Sequence, residues 1–282
     1  MSTSETLKVV NGNGEVSGSS PDGETGNVSE HSAKSLLEEK VYKVQVGIPL
    51  KGHTPARSYH DRMLMWKTLG NSEASDFYTH KNPRYVFQFG ATAEMFIPYA
   101  REQLAEGALE SGCDYLFMID DDMLSPPDLF YRLAVHDKDI VAALAFTRNP
   151  DHKPVIYETI EGVDPVTAAY GFTRFINNYP RNTLVECDAV GFGAVLIKTD
   201  VLRKVKRPWF FGMERTGEDI TFCNKAKKAG FGVWMDTSIK LGHLGTPSII
   251  TEEYSDAWNK LDTDQREKLY GRFTKYETDT LK

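Results

Sequence analysis

Three consecutive aspartates, Asp120, Asp121 and Asp122, follow directly on the apolar run Tyr115-Leu116-Phe117-Met118-Ile119. An apolar run of this length, bounded by turn signals, reads as a strand buried on both faces. Three carboxylates at its carboxyl end repel one another unless a cation sits among them. Mg2+ and Mn2+ favour such oxygen ligands and keep positions open for substrate phosphates. In open α/β sheets, ligands bind at the carboxyl ends of the strands. The run therefore predicts a metal-assisted site for a phosphate-bearing substrate. The plain alternative is a polar turn whose acids cap the next segment.

Four further groups could join that chemistry. Thr216-Gly217-Glu218-Asp219 opens a helix, where acids are favoured by the macrodipole; the functional reading makes one carboxylate a general base facing a cleft. Lys240-Leu241-Gly242-His243-Leu244-Gly245 places a histidine between glycines after an apolar strand. Mn2+ accepts imidazole beside carboxylates, so His243 could complete a sphere begun by Asp122. Val190-Gly191-Phe192-Gly193-Ala194 lacks the third glycine and the following helix of a dinucleotide fingerprint. Its glycines suit close approach to a substrate, or a bulge. Arg101 and Arg148 are by default solvated charges, and either could pair with a diphosphate.

These residues need a scaffold. Val41 to Leu50 is β-rich and closed by Pro49. An amphipathic helix is expected around Tyr59 to Leu69, then a strand Tyr85 to Phe89 ended by Gly90. Pro98 to Ser111 reads as a helix, with proline at its start and Gly112 past its end. After the aspartates, Ser125-Pro126-Pro127-Asp128 opens a helix to about His136, and Ile140 to Phe146 is a strand. Residues 149–183 form an irregular excursion with short β pieces at Val155 to Tyr157 and Phe172 to Ile176. Regular pattern resumes with strands Leu184 to Ala189 and Ala194 to Lys198, then a short helix after Thr199. Glu218 to Ala229 is a helix capped by Gly230. Gly232 to Met235 and Ile239 to Leu241 read as two short strands, and residues 251–275 as a charged helical tail. The alternation predicts an α/β fold, a three-layer α/β/α sandwich with a mostly parallel central sheet. Its divisions are a disordered tail over 1–38, a domain over 39–248 and a helical extension over 249–282. The tail is rich in Ser, Gly, Asn and Glu, and too poor in large apolar residues to offset its ordering entropy.

The net charge of −7 over 282 residues gives no electrostatic case for a general nucleic-acid or membrane-surface binder. Cys113, Cys187 and Cys223 suggest neither a disulfide framework nor a zinc site, and fit a reducing cytoplasm. No run approaches the roughly 18 apolar residues a membrane span requires, and the first residues show no secretory h-region. Without one, the sequon Asn27-Val28-Ser29 reads as a chance match.

In order and spacing these pieces resemble a glycosyltransferase of the GT-A fold, family-two-like group, from about Val44 to Gly245. "ESGCDYLFMIDDDMLSPPDLFYRL" is similar to that group's strand and DxD metal motif. "GEDITFCNKAKKAGFGVWMD" is similar to its ED-bearing acceptor helix, and "LGHLG" to its late metal-binding histidine. The resemblance implies a nucleotide-sugar donor, most often UDP- or GDP-linked, and Mn2+ or Mg2+ as cofactor. Asp122 and His243 would ligate the metal, with Asp120 in the DxD set and Asp120 or Asp121 contacting ribose, sugar or a metal-bound water. Asp219 would be the catalytic base, with Glu218 beside it on the acceptor side. Pro49 would lie by the nucleotide and Arg101 near the donor. Glu102 stands where related viral and bacterial proteins carry asparagine. Gly191 and Gly193 would line the donor–acceptor junction.

Sugar transfer requires a stabilised leaving diphosphate, which a divalent cation supplies as a Lewis acid. An inverting enzyme adds one base, the role of Asp219; a retaining outcome also stays open. The alternative is a metal-dependent nucleotidyl or phosphoryl transferase using Asp120 to Asp122, although no phosphate-cradling Walker loop is present. A third reading, a non-catalytic nucleotide-sugar or glycan binder, would be marked by loss of these acids. The acceptor is unassigned, with a glycan or a modified DNA base among the candidates. Lys198, Arg203, Lys204, Lys206 and Arg207 cluster beside Trp209-Phe210-Phe211, aromatics able to stack on a sugar or base or to fill the core. Tyr254 and Trp258 would close over the site or make an oligomer contact.

Overall fold

Most of the apolar runs become strands of one sheet. β1 (Tyr42–Pro49), β2 (Tyr85–Thr92), β3 (Tyr115–Ile119), β5 (Ile140–Leu144), β8 (Leu184–Cys187), β10 (Ala194–Lys198) and β11 (Val233–Lys240) pair in the order β2-β1-β3-β10-β5-β11-β8. β1, β2, β3, β5 and β11 run one way, and β10 and β8 the other. The computed structural model describes residues 40–50, 55–78, 84–163, 171–213, 216–245, 249–266 and 268. The expected disordered tail, the sequon and the end of the expected C-terminal helix lie outside these residues.

Alternation along the central strands sends side chains into two cores. Tyr115, Phe117 and Ile119 pack with Met65 and Leu69 of helix α1 (Ala56–Tyr78) and with Leu129, Phe130 and Leu133 of α3 (Leu129–Ala134). Leu116 and Met118 pack on the other face with Leu104 and Ala108 of α2 (Ile97–Glu110), Val201 and Leu202 of α4 (Thr199–Lys204), and Phe222 and Ala226 of α5 (Glu218–Lys228). Both β3 and β5 are buried throughout, as strands covered on both faces must be. The chain thus adopts the expected three-layer α/β/α sandwich with a mostly parallel sheet.

Two smaller sheets complete the edge where the parallel strands end. β4 (Met123–Leu124), β12 (Gly242–Leu244) and β13 (Ile249–Ile250) form one, and β6 (Ile156–Thr159), β7 (Thr173–Phe175) and β9 (Ala189–Val190) the other. The last helix, α6 (Glu252–Asn259), sets Tyr254 and Trp258 against the His152 ring, each with centroids 5.1 Å apart. Trp258 is buried. These two aromatics fix α6 to the excursion after β5.

Several boundaries differ from the sequence reading. β2 runs through Gly90 to Thr92, because parallel pairing with β1 continues to Pro49. The helix after the aspartates is only α3, since residues 123–124 pair with β12 and the two prolines precede the helical turn. β5 stops at Leu144, and Phe146 instead bridges Pro154. The two short late strands are one, β11, with a register break between Asp236 and Lys240.

Phe117 is fully buried and its ring meets that of Phe130 edge-on at 5.7 Å. Phe117→Ala should therefore cost about 3–5 kcal/mol, the usual range for a large aromatic lost from a core. Urea unfolding reads this as a lower midpoint at unchanged slope; a change below about 1 kcal/mol would contradict the packing described.

Candidate functional site

The three aspartates form the turn between β3 and β4. Backbone pairing places them: Asp120 N donates to Gly193 O at 3.0 Å, and Leu244 N donates to Asp122 O at 2.9 Å. The reversed strand β10 brings Gly191 to Gly193 to the edge where β3 ends. The β12–β4 pairing, which aligns His243 with Met123, brings His243 to Asp122. A cleft of about 270 Å3 results, walled by Asp120, Arg148, Gly191, Gly193, Asp219 and His243 among others.

Cationic side chains offset the acidic turn. Arg101, on α2, is buried with its side chain 4% exposed. Its Nη2 donates to Asp120 Oδ1 at 2.7 Å and its Nη1 to Glu218 Oε1. Arg101 is thus no solvated charge: it ties the end of β3 to the first turn of α5. Its pKa is raised because Asp120 and Glu218 outweigh the burial that would lower it. Burial is likewise the largest influence on Asp120, pushing its pKa up against the opposing pull of Arg101.

The sequence reading missed Ser58 and Arg62. Both donate to backbone carbonyls of the turn, Ser58 Oγ to Asp121 O and Arg62 Nη2 to Asp120 O. Arg62 is 1% exposed, and burial lowers its pKa to about 10 against the pull of the nearby aspartates. The signal was present in register. Ser58, Arg62, Met65 and Leu69 follow helical spacing, and all four are buried, so an arginine on the apolar stripe of α1 required a buried acceptor.

Asp122 meets His243 and Arg148. His243 Nε2 lies 3.3 Å and Arg148 Nη1 3.2 Å from Asp122 Oδ2. The other imidazole nitrogen, Nδ1, is 2.7 Å from the Phe146 carbonyl oxygen. A carbonyl only accepts, so Nδ1 carries the proton; Nε2 faces Asp122, donating to it in the protonated ring and presenting a lone pair in the neutral one. Burial pushes the Asp122 pKa up, but the hydrogen bond and charge of His243, with Arg148, hold it below the usual range.

Asp122 and His243 fit a small divalent cation. Cis ligands at ~2.1 Å in an octahedron lie about 3 Å apart, near the spacing of these two atoms. Asp120, also expected at the metal, has one carboxylate oxygen, Oδ1, held by Arg101. Among the described residues no group of three or more His, Cys, Asp or Glu side chains is arranged to hold a metal. Asp121 has its carbonyl held by Ser58, and burial plus its two aspartate neighbours raise its pKa.

Asp219 faces the same cleft from the first turn of α5, with Oδ1 accepting the Ile220 amide at 2.8 Å. Burial and the neighbouring Glu218 carboxylate raise its pKa to about 6. Glu218, expected on the acceptor side, accepts from Arg101. Gly191 and Gly193 both line the cleft. The space beside Gly191 is taken by Val155, whose Cβ would lie 2.7 Å from an added methyl group. Pro49 is buried, while its neighbours Ile48 and Leu50, with Trp66 and Phe89, line a second hollow of about 350 Å3.

Part of the basic and aromatic cluster is engaged within the fold. Lys198 pairs with Asp137, Arg203 with Asp200, and Arg207 with Glu102 and Glu106. Trp209 and Phe210 are buried, Trp209 Nε1 donates to Leu202 O and Val205 O at 2.9 Å, and Phe210 stacks on Phe222. These two rings are core residues and offer no stacking surface. Glu102 accepts from the Trp209 and Phe210 amides, which fixes that loop to α2.

No family model matches this chain, and no curated protein matches it. Among solved structures it is similar to A197 from STIV, at 18% identity over 72% of this chain and 85% of that one, with a TM-score of 0.45. It is similar to GalNAc-T7 with UDP, GalNAc and Mn2+, at 11% identity over 73% of this chain and 44% of that one, TM-score 0.47. It is also similar to UDP-glucose pyrophosphorylase complexed with UDP-glucose, at 10% identity over 77% of this chain and 99% of that one, TM-score 0.41. At these identities and TM-scores the likeness carries no functional argument. No described helix is long and apolar enough to cross a membrane.

Breaking a buried ion pair by removing one partner costs about 3–5 kcal/mol, because the other charge stays behind. Arg101→Met should do so at pH 7, leaving Asp120 and Glu218 facing each other. The folded variant then binds protons more tightly than its unfolded chain. Its deficit against wild type should shrink as pH falls from 7 toward about 4. A deficit in urea unfolding that is constant across that range would refute the assigned pairing.

Proposed function

We propose that this protein is a metal-dependent glycosyltransferase of the GT-A type, moving a sugar from a nucleotide-linked donor to an acceptor hydroxyl. The observation that carries the reading is Asp219, a carboxylate with its pKa raised to about 6, lining the same cleft as His243, the imidazole beside Asp122. A hydroxyl acceptor needs a base whose pKa lies near working pH. Asp219 would take that proton. Asp122 and His243 would hold Mn2+ or Mg2+, which supplies positive charge to the leaving diphosphate.

The remaining side chains bind and orient. Arg101 is buried against Asp120 and Glu218, and so holds the base-bearing turn of α5 toward the aspartates. Asp121 is left to contact donor hydroxyls. The hollow beside Ile48, Leu50, Trp66 and Phe89 is apolar and aromatic, suited to a planar nucleobase. The buried Trp209 and Phe210 favour a glycan or small hydroxyl acceptor over a DNA base.

A second reading, nucleotidyl transfer, is favoured by the pairing of Asp122 with Arg148. A carboxylate for a metal and a guanidinium for phosphate oxygens suit a nucleoside triphosphate as well as a nucleotide sugar. In that reaction the attacking group is an ionised phosphate, which needs no base, and Asp219 has no proton to take.

Asp219 separates the two. Purified protein with Mn2+ is given a panel of UDP- and GDP-sugars and, separately, nucleoside triphosphates with sugar phosphates. Turnover of a nucleotide sugar is expected, and Asp219→Asn should reduce kcat by about 100-fold or more, the scale of a lost general base. The wild-type rate should fall tenfold per pH unit below about 6, as Asp219 protonates, and level off above it. Pyrophosphate release from a triphosphate, with Asp219→Asn unimpaired, would replace this reading with nucleotidyl transfer.

A further inference from the structure

Asp122 Oδ2 is the oxygen that His243 Nε2 faces, at 3.3 Å, and therefore the oxygen a shared cation would take. The same oxygen carries Arg148, with Nη1 at 3.2 Å. Arg148 sits on the segment after β5, its side chain is 57% exposed, and Asp122 is its ion-pair partner among the described residues. The contrast with Arg101 is sharp: that guanidinium is buried and held by two carboxylates, whereas Arg148 is held at one oxygen and open to solvent.

A guanidinium and a divalent cation cannot share one carboxylate oxygen without strong repulsion. A cation entering between Asp122 and His243 must displace Arg148. The displaced group stays in reach of the cleft, because Arg148 lines it alongside Asp120, Asp219 and His243. Its fork matches the paired oxygens of a phosphate, the group that the cation would bring.

We propose that Arg148 is a stand-in cation that covers Asp122 until a metal–nucleotide complex arrives, and then becomes a ligand of the diphosphate. This inference rests on the proposed metal and nucleotide site. It goes further in assigning one residue two opposed effects. Arg148 opposes binding of metal alone, because the cation must break the pair with Asp122. It favours binding of nucleotide once metal is present, because the released guanidinium gains a phosphate partner. The two effects make metal and nucleotide binding mutually reinforcing, and the coupling is reciprocal. The plain alternative, a surface ion pair that contributes nothing measurable, is common.

The test is a pair of affinities measured on the full chain, for wild type, Arg148→Ala and Arg148→Lys. Mn2+ alone is titrated by electron paramagnetic resonance, and a panel of nucleoside diphosphates is then titrated by calorimetry at saturating Mn2+. In Arg148→Ala, Mn2+ alone should bind roughly two- to fivefold more tightly, the scale of an exposed ion pair removed. The tightest-binding nucleoside diphosphate should bind about tenfold more weakly or worse, the scale of a lost charge-assisted hydrogen bond. Arg148→Lys, which keeps the charge without the fork, should stay near wild type for Mn2+ and fall between the two for nucleotide. Shifts in opposite directions support the proposal. If Mn2+ affinity is unchanged or weakened in Arg148→Ala, or nucleotide affinity is unchanged, the proposal is overturned while the proposed function stands. A wild type that binds neither Mn2+ nor, with it, any nucleoside diphosphate overturns the proposed function and this inference together.

Discussion

A single buried guanidinium joins the parts of this site. Arg101 reaches Asp120 at the end of β3 and Glu218 at the start of α5, two elements far apart in sequence. Charge this deep in a fold persists only when paired and hydrogen-bonded, so the position of α2 fixes where both acids must lie. Glu218 and Asp219 are adjacent in the first turn of α5. Once Glu218 is held by Arg101, Asp219 is left half-buried and against a like charge, with no ion pair among the described residues. Its raised pKa follows from that arrangement rather than from any group placed to perturb it.

The sheet supplies the rest by topology. Parallel strands end at one edge, but three more features are needed to gather a site there. Reversal of β10 brings the Gly191 to Gly193 segment back beside Asp120. After its break β11 pairs with β5 again at Lys240, and the chain then leaves the sheet to form β12. The β12–β4 ladder then sets His243 against the aspartate turn. Ser58 and Arg62 of α1 hold that turn from the opposite side through its carbonyls. The aspartate side chains are therefore presented on a backbone fixed from both sides, which is the support a site requires to keep its geometry.

What the sequence revealed follows the same physics. Strands such as β3 and β5 were legible because burial on both faces leaves continuous apolar runs. Helix ends were legible where Pro98, Gly112 and Gly230 mark them, and both glycines do take positive φ. The acidic candidates were legible because clustered carboxylates are costly without compensation. The compensating cations were not, because an arginine at a buried position looks like one in solvent until its neighbours are known. Arg101 and Arg62 could be found only by their phase on a helix. Arg148 has no phase at all, since it follows a strand in an irregular segment. Tyr254, Trp258, Trp209 and Phe210 show the converse: aromatic composition suggested recognition surfaces, and tertiary packing used the residues to anchor α6 and the loop after α4.

The modest number of metal-ligating groups is itself informative about how a cation would be used. A closed site of three or four protein ligands holds its metal whether or not substrate is present. Mg2+ and Mn2+ in phosphate chemistry are instead commonly held by one or two side chains, with phosphate oxygens and water completing the shell. Asp122 and His243 supply two. Asp120, which could have been the third, is committed to Arg101, and that commitment also fixes Glu218. Freeing Asp120 for a metal would unbalance the ion pair on which the α5 turn depends. On the proposed reading, Arg101 ties the turn that carries Asp219 to the turn that carries Asp122, and the remaining positions around a cation would fall to phosphate oxygens and water.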